Sequence, residues 1–306
     1  MVPRAGGPGV GPAPEARAPR LDADCWFLSG PTAAGKTDLG IELAGRLGAE
    51  IVSVDSMAVY RSLDVGTAKP TGAQRAAIRH HLLDVVSPAE PYTVARWLAD
   101  AERAVTECRA RGRQILFVGG TPLYLRALRE GLARLPPADP ALRAALEADA
   151  ARHGTAALHR RLAAVDPVAA GRIHAGDLRR IVRALEVAEA TGRPLSSHFQ
   201  PHADPWFDRR LMIVDLSRDL LRRRIDERVE RMFAAGLVEE TKAALAADGL
   251  GPTARQAAGY AEAVALLAGA IDRAEAVRRT QARTRQLAKR QLTWLRSFPH
   301  AVWLTA

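Results

Sequence analysis

The stretch Gly30-Pro31-Thr32-Ala33-Ala34-Gly35-Lys36-Thr37 fits the spacing GxxxxGK[ST]. Residues of these types at this spacing hold phosphate. Glycines let backbone N–H groups converge on phosphate oxygens, and the start of the following helix adds its dipole. Lys36 adds positive charge, and the Thr37 hydroxyl is a ligand for Mg2+. Enzymes that split nucleoside triphosphates on such a loop place a second acid at the end of another apolar strand. Here the run "ILFV" leads into Gly119-Gly120-Thr121 with no acid, whereas "IVSVD" ends in Asp55. Strand C-termini face the ligand crevice of an α/β sheet, so Asp55 and Thr121 are expected beside the loop. A single carboxylate there either holds metal or serves as base for a nucleophile attacking next to a phosphate.

Arg228 stands apart on grounds of charge. In "SRDLLRRRIDERVERMF", Leu221, Ile225, Val229 and Met232 form an apolar helical stripe. Arg222 has Asp226 at helical spacing, and Arg223 and Arg231 have Glu227. Arg228 has only Arg224, Ile225, Arg231 and Met232, which predicts an external anion as its partner. Further on, "EAVRRTQARTRQLAKRQLTWLRSF" sets Arg278, Arg285, Lys289 and Arg296 in one narrow stripe, with Leu287, Trp294 and Phe298 opposite. The stretch has almost no acids, so its basic face is expected to meet a nucleic-acid backbone.

The elements that must position these residues alternate along the chain. "CWFLS" (25–29), "EIVSVD" (50–55), "QILFVGG" (114–120) and "LMIVDL" (211–216) predict strands. "KTDLGIELAGRLG" and "TVARWLADAERAVTECRARG" (93–112) predict helices between them. This is an α/β chain with a parallel sheet flanked by helices, the phosphate loop following its first strand. Residues 130–205 carry helical patterns and no strand, which predicts an inserted all-helical domain. The catalytic core then comprises residues 22–129 and 206–306. Residues 1–21, rich in Gly, Pro and Ala, predict a disordered tail.

Composition bounds the function. A net charge of +10 favours a polyanionic partner, and 48% hydrophobic with 25% charged residues predicts a globular chain. The two cysteines, Cys25 and Cys108, lie far apart, which predicts buried thiols in a reducing cytoplasm and excludes a cysteine-based zinc site. No apolar run reaches transmembrane length, and the N-terminus has no apolar signal core. The expectation is a cytoplasmic monomer away from membranes. Adjacent His80 and His81 diverge and have no carboxylate at a suitable spacing, so no metal site is expected there.

Several stretches together resemble one family, the bacterial tRNA dimethylallyltransferases or tRNA isopentenyltransferases. They are "GPTAAGKT", "SVDSMAVYRSLDVGTAKP", "VGGTPLYLRAL", "DPVAAGRIHAGDLRRIVRALEV" and "TRQLAKRQLTWLR", in the family's order from about residue 25 to 305. The resemblance implies an enzyme that moves a dimethylallyl group from dimethylallyl diphosphate to N6 of the adenosine just 3′ of the tRNA anticodon, position 37 of tRNA. Residues 30–37 would then hold the donor's diphosphate, with Mg2+ on Thr37. The resemblance makes Asp55 the general base, with Ser56, Met57 and Ala58 beside it at the acceptor. It puts Thr121 near the reacting base and donor, and Arg228 on the diphosphate. It assigns Arg143, and Arg179, Arg180, Ile181, Val182 and Arg183 at one helix start, to the tRNA anticodon arm, which makes the insertion a tRNA-binding domain. Gln256, Ala257, Ala258, Gly259, Tyr260 and Ala261 match a tRNA-contacting segment in which Gly259 permits close approach and Tyr260 stacks on a base. Arg285 and Lys289 extend the RNA contact. The chain departs from the family pattern at Ala58, Ala175-Gly176, Arg179 and Ala261.

Three other readings use some of the same features. A small-molecule kinase explains a nucleotide such as ATP on the loop but not the basic C-terminal helix or the missing second acid, and an RNA-binding ATPase leaves Asp55 beside the loop without a purpose. A free adenine nucleotide as acceptor keeps the chemistry but leaves the basic C-terminal stripe without a purpose.

Overall fold

Apolar runs without alternation belong to strands buried on both faces. The computed structural model describes residues 24–133, 135–199 and 205–305, so the expected tail lies outside the described residues. Among these, β1 (Cys25–Ser29), β2 (Ala49–Ser53), β3 (His80–His81), β4 (Gln114–Val118), β5 (Leu211–Asp215) and β6 (Val302–Thr305) form one sheet, in the order β3-β2-β4-β1-β5-β6. Every pairing is parallel. The helices used below are α1 (Lys36–Leu47), α2 (Val94–Ala110), α3 (Pro140–His153), α4 (Thr155–Val165), α5 (Leu178–Thr191), α6 (Arg218–Ala234) and α7 (Arg273–Leu295).

Alternate strand residues supply the two faces of the sheet. Leu28, Ile51, Leu116 and Val214 pack with Ala44 of α1, Leu221 and Ile225 of α6, and Ala288 of α7. On the other face Phe27 stacks on Phe117 at 5.2 Å and meets Phe207 at 4.2 Å, and Phe207 meets Phe298 at 5.9 Å. Trp97 of α2 is fully buried. Its indole N–H donates to Ser53 O (3.1 Å), and its ring stacks on Tyr124 at 4.3 Å.

Strand pairing stops at Ser53 and Val118, two residues short of each predicted run. Asp55 and Gly119-Gly120-Thr121 therefore lie in turns beyond the strand ends. The two-residue strand β3 carries no periodicity and is invisible to pattern reading. It also corrects the reading of His81. The His81 Nε2 lies 2.7 Å from the Glu50 carboxylate, and Cys108 Sγ lies 3.5 Å from both. Arg111 clamps Glu50 through Nε (3.0 Å) and Nη2 (2.7 Å). That clamp, with His81 and despite burial, holds the Glu50 carboxyl at about 2, while burial and Glu50 push the Cys108 thiol up to about 12. A neutral thiol and a carboxylate already matched by Arg111 make a structural cluster, not a cation site. Among the described residues, no helix is long and apolar enough to cross a membrane.

The chain divides into two compact units. One comes from the segments up to Glu130 and from Ala203 onward, the other from Gly131–His202. The second has its own core: Leu146 and Ala150 of α3, Leu158 and Leu162 of α4, and Ile181, Val182, Ala184 and Leu185 of α5. Asp139 caps α3 by accepting from Ala141 N and Leu142 N, and Asp177 caps α5 by accepting from Arg180 N. Glu186 is fully buried within this unit. Its carboxylate accepts two bonds from Arg143 (2.9 Å each), one from Arg183 (2.5 Å) and one from Asp139 N (2.6 Å). Burial opposes the charge on Glu186, yet the two guanidinium groups hold its carboxyl down at about 2.

Glu186→Ala leaves both guanidinium groups without their anion and is expected to cost about 3 kcal/mol of stability at neutral pH. The folded-state pKa is depressed, so the contribution is complete above the ordinary value of 4.5 and is lost as pH falls toward 2. Hydrogen exchange in α3–α5 of wild type and variant, compared across that range, should show the gap closing with acid. A gap that pH does not change would contradict the assignment.

Candidate active site

The ends of β1, β2 and β4 lie side by side, and each ends in a loop of the site. After β1, the phosphate loop turns through Ala33 (φ 65°) and Gly35 (φ 91°) before α1 begins at Lys36. A cavity of about 360 Å3 opens here, lined among others by Thr32, Lys36, Thr37, Asp55, Arg228 and Gln291. Thus the loop, the carboxylate after β2 and the isolated arginine of α6 meet in one cavity, the arginine from about 170 to 190 positions further along the chain.

Lys36, Arg228 and Asp55 each take a backbone partner. Lys36 Nζ donates to Pro31 O (2.7 Å), and Arg228 Nη2 reaches Thr67 O at 3.5 Å. Asp55 Oδ1 accepts from Met57 N (2.7 Å) and Ala58 N (3.2 Å), so the carboxylate closes its own turn. Both bonds fall on Oδ1. Burial, reinforced by the Arg228 charge and opposed by Asp55, pushes the Lys36 ammonium down to about 8. Thr121 is bonded to the same turn: its Oγ1 accepts from Ser56 N (3.0 Å). Ala58 is buried and lines the cavity, and Met57 and Ser56 are half-buried beside it.

Lys69 also lines the cavity, but its ammonium is committed. It donates to Tyr60 O (2.6 Å), Asp64 (2.7 Å) and Asp84 (2.6 Å). The stripe of α6 is completed by Phe233 rather than Met232, which is only half-buried. Asp226 pairs not with Arg222 but with Arg285 of α7.

Several residues expected at the RNA have other work in the fold. Ile181 and Val182 are core residues of the helical unit, since their positions on α5 face α3 and α4. Arg143 and Arg183 are the partners of Glu186, and Arg285 is the partner of Asp226. Tyr260 is fully buried and donates to Glu240 (2.6 Å), so it has no face on which a base can stack. Gly259 serves the fold and not an approach of RNA. Its φ of 97° starts the helix Tyr260–Leu267, and a Cβ there would sit 3.2 Å from Leu237. Ala257, Ala258 and Ala261 are half-buried, and Gln256 is exposed, its carbonyl accepting from Arg283 (2.6 Å). Arg179, Arg180, Lys289 and Arg296 are exposed. Arg278, in the same stripe, pairs with Glu275.

The buried side of α7 runs through Ala276, Thr280, Ala288, Gln291 and Leu295. Leu287 and Trp294 are only half-buried. The packed side is therefore turned toward the basic stripe by about an eighth of a turn, as helical spacing of 100° per residue gives.

Two side chains that pattern reading passes over hold the site together. Glu240 accepts from three successive backbone N–H groups, Asp64 (2.6 Å), Val65 (2.8 Å) and Gly66 (3.1 Å), and from Tyr260. It fixes the segment whose Thr67 faces Arg228. Gln291 lies on the packed side of α7, and its amide bonds Thr32 N and Gly120 O. Neither has a local signature. A lone Glu or Gln on an amphipathic helix looks like surface, and its partners lie about 170 to 260 positions away.

Known proteins resemble this chain in both sequence and fold. Residues 58–298 match the IPP transferase family, and residues 23–89 match the isopentenyl transferases. A tRNA dimethylallyltransferase of Anaeromyxobacter dehalogenans is 53% identical over 91% of this chain and 93% of its own. One from Geobacter metallireducens is 47% identical over 91% of each. The crystal structure of a tRNA isopentenylpyrophosphate transferase from Bacillus halodurans superposes with a TM-score of 0.65 at 37% identity, covering 92% of this chain and 89% of that one. A eukaryotic dimethylallyltransferase acting on tRNA gives a TM-score of 0.75 at 25% identity, over 91% of this chain and 73% of that one. With a match across most of its length, this chain belongs to the IPP transferase family.

Proposed function

We propose that this protein transfers the dimethylallyl group of dimethylallyl diphosphate to the N6 amine of the adenosine just 3′ of the tRNA anticodon, releasing diphosphate. The observation that carries this reading is one cavity in which the Lys36 and Arg228 cations stand with the Asp55 carboxylate, while the other charged groups lining it, Lys69 and Asp38, are taken up by Asp64, Asp84 and Gln74. A leaving group of high negative charge needs the first two. A weakly basic amine that must lose a proton as it attacks needs the third.

The step balances. The allylic C1–O bond breaks with its electron pair going to the diphosphate oxygen. The N6–C1 bond forms, and one N6 proton passes to Asp55. Loop N–H groups, Lys36 and Arg228 stabilise the charge that develops on the diphosphate. The hydroxyl of Thr37 lines the cavity as a hard oxygen donor, of the kind that suits Mg2+. Bound by Thr37, that cation would supply further charge neutralisation at the leaving group. The tRNA side rests on the exposed cations Arg179 and Arg180 in the helical unit, and on Lys289 and Arg296 along α7. Arg285 and Arg143 support those surfaces through their acid partners. The protein acts as a cytoplasmic monomer on this reading.

The test is incubation with dimethylallyl diphosphate labelled in the allyl group and unmodified tRNA, followed by digestion to nucleosides. The label should appear as N6-dimethylallyl-adenosine. Asp55→Asn retains an oxygen for Met57 N and Ala58 N but cannot take the proton. It is expected to fold and bind both substrates and to lose about 10²-fold or more in rate. Near-normal turnover by Asp55→Asn would remove Asp55 from the chemistry.

The Lys36 ammonium at about 8 makes donor binding depend on pH. An anion binds the protonated form, so binding takes up a proton once the free group has lost it. Affinity for diphosphate should be flat from about pH 7, where the ligand is ionised, to about pH 8 and fall by up to about tenfold per unit above it. Calorimetric titrations in buffers of different ionisation enthalpy will show proton uptake that Lys36→Met abolishes. Affinity independent of pH in the wild-type protein would contradict the assignment.

A further inference from the structure

Gln291 is the polar residue in the middle of the packed side of α7. Its side chain is buried, and both ends of its amide are used. Oε1 accepts from Thr32 N in the phosphate loop (2.9 Å), and Nε2 donates to Gly120 O in the turn after β4 (2.7 Å). The approach is close enough to dictate the neighbour. A Cβ on Gly120 would stand 2.6 Å from Nε2 and 2.9 Å from Gly30 O. The residue after Gly120 is Thr121, which accepts from Ser56 N (3.0 Å) next to Asp55. One amide thus joins the loop at the leaving group to the turn that carries the base. It does so from the helix whose outer side exposes Lys289 and Arg296.

We propose that Gln291 is a positioning residue for the transfer: it sets the phosphate loop and the Gly120–Thr121 turn at the separation the reaction requires, and ties both to α7. This rests on the reading of the cavity as an allylic-diphosphate site. A side chain in this role acts on the geometry of the two reacting partners and not on the binding of either. Misplacement by an ångström costs on the order of 10²-fold in rate when reacting atoms must be held near attack distance. Both substrates keep their own contacts, so their affinities are spared.

Two substitutions separate positioning from packing. Gln291→Leu keeps the bulk and removes both bonds. It is expected to lower kcat by about 10- to 100-fold while the KM values for dimethylallyl diphosphate and tRNA stay within about threefold. Gln291→Glu keeps an acceptor for Thr32 N but turns a carboxylate oxygen against Gly120 O. When that carboxyl is protonated, its O–H donates to Gly120 O and both bonds return. The ratio of its kcat to that of wild type should therefore rise as pH is lowered, at temperatures where circular dichroism shows both proteins folded. The other titrating groups of the cavity, Lys36, Asp38, Asp55, Lys69 and His80, are common to both proteins and drop out of the ratio. An unchanged kcat in Gln291→Leu overturns the proposal, as does a raised KM with kcat intact. If the leucine variant does not fold, a ratio for Gln291→Glu that is flat with pH overturns it. A wild-type protein that transfers no label counts instead against the reading of the cavity.

Discussion

Lys36 and Arg228 share one cavity with Asp55 and attract it, and a direct ion pair would disable both the anion site and the base. The rest of the site is arranged around that constraint. Asp55 is turned toward the N–H groups of Met57 and Ala58, Lys36 toward Pro31 O, and Arg228 toward Thr67 O. Each backbone partner sits in a loop that is itself held elsewhere. Glu240 fixes the turn before Thr67, Thr121 fixes the turn after Asp55, and Gln291 fixes the loop that carries Pro31 and Thr32. Parallel strands make this possible, because adjacent β2, β4 and β1 deliver three loops to the same edge of the sheet.

The parts of the site with a local signature could be read from sequence, and the parts that depend on partners far along the chain could not. The loop 30–37 has fixed spacing and a strand before it. Asp55 ends an apolar run, and Arg228 lacks an acid at helical offsets. All three face the cavity. Tyr260 failed because stacking and burial look alike in sequence, and the partner that decides between them, Glu240, is 20 positions away. Ile181 and Val182 failed because a motif marks a segment, while a helix divides it into faces. Asp226 was given to Arg222 on its own helix, and the fold gave it to Arg285 on α7. In the fold, β3 was missed because two histidines have no period, although they extend the sheet beside β2.

The positive charge of the chain is also redistributed by folding. Arg111 neutralises Glu50, Arg143 and Arg183 neutralise Glu186, and Arg285 neutralises Asp226. These pairs hold units together and leave a smaller set of exposed cations for a phosphate backbone. An excess of basic residues thus overstates the RNA-facing surface, and the stripe on α7 narrows to Lys289 and Arg296 once its paired members are set aside.

On the proposed reading, the cavity beside Lys36 and Arg228 takes a diphosphate on an allylic carbon in preference to a nucleoside triphosphate. Displacement of labelled dimethylallyl diphosphate from the wild-type protein by inorganic diphosphate and by ATP, each with and without Mg2+, measures this directly. Inorganic diphosphate is expected to displace the donor at lower concentration than ATP does, with no release of phosphate from ATP. Tighter displacement by ATP, accompanied by its turnover, would contradict that reading.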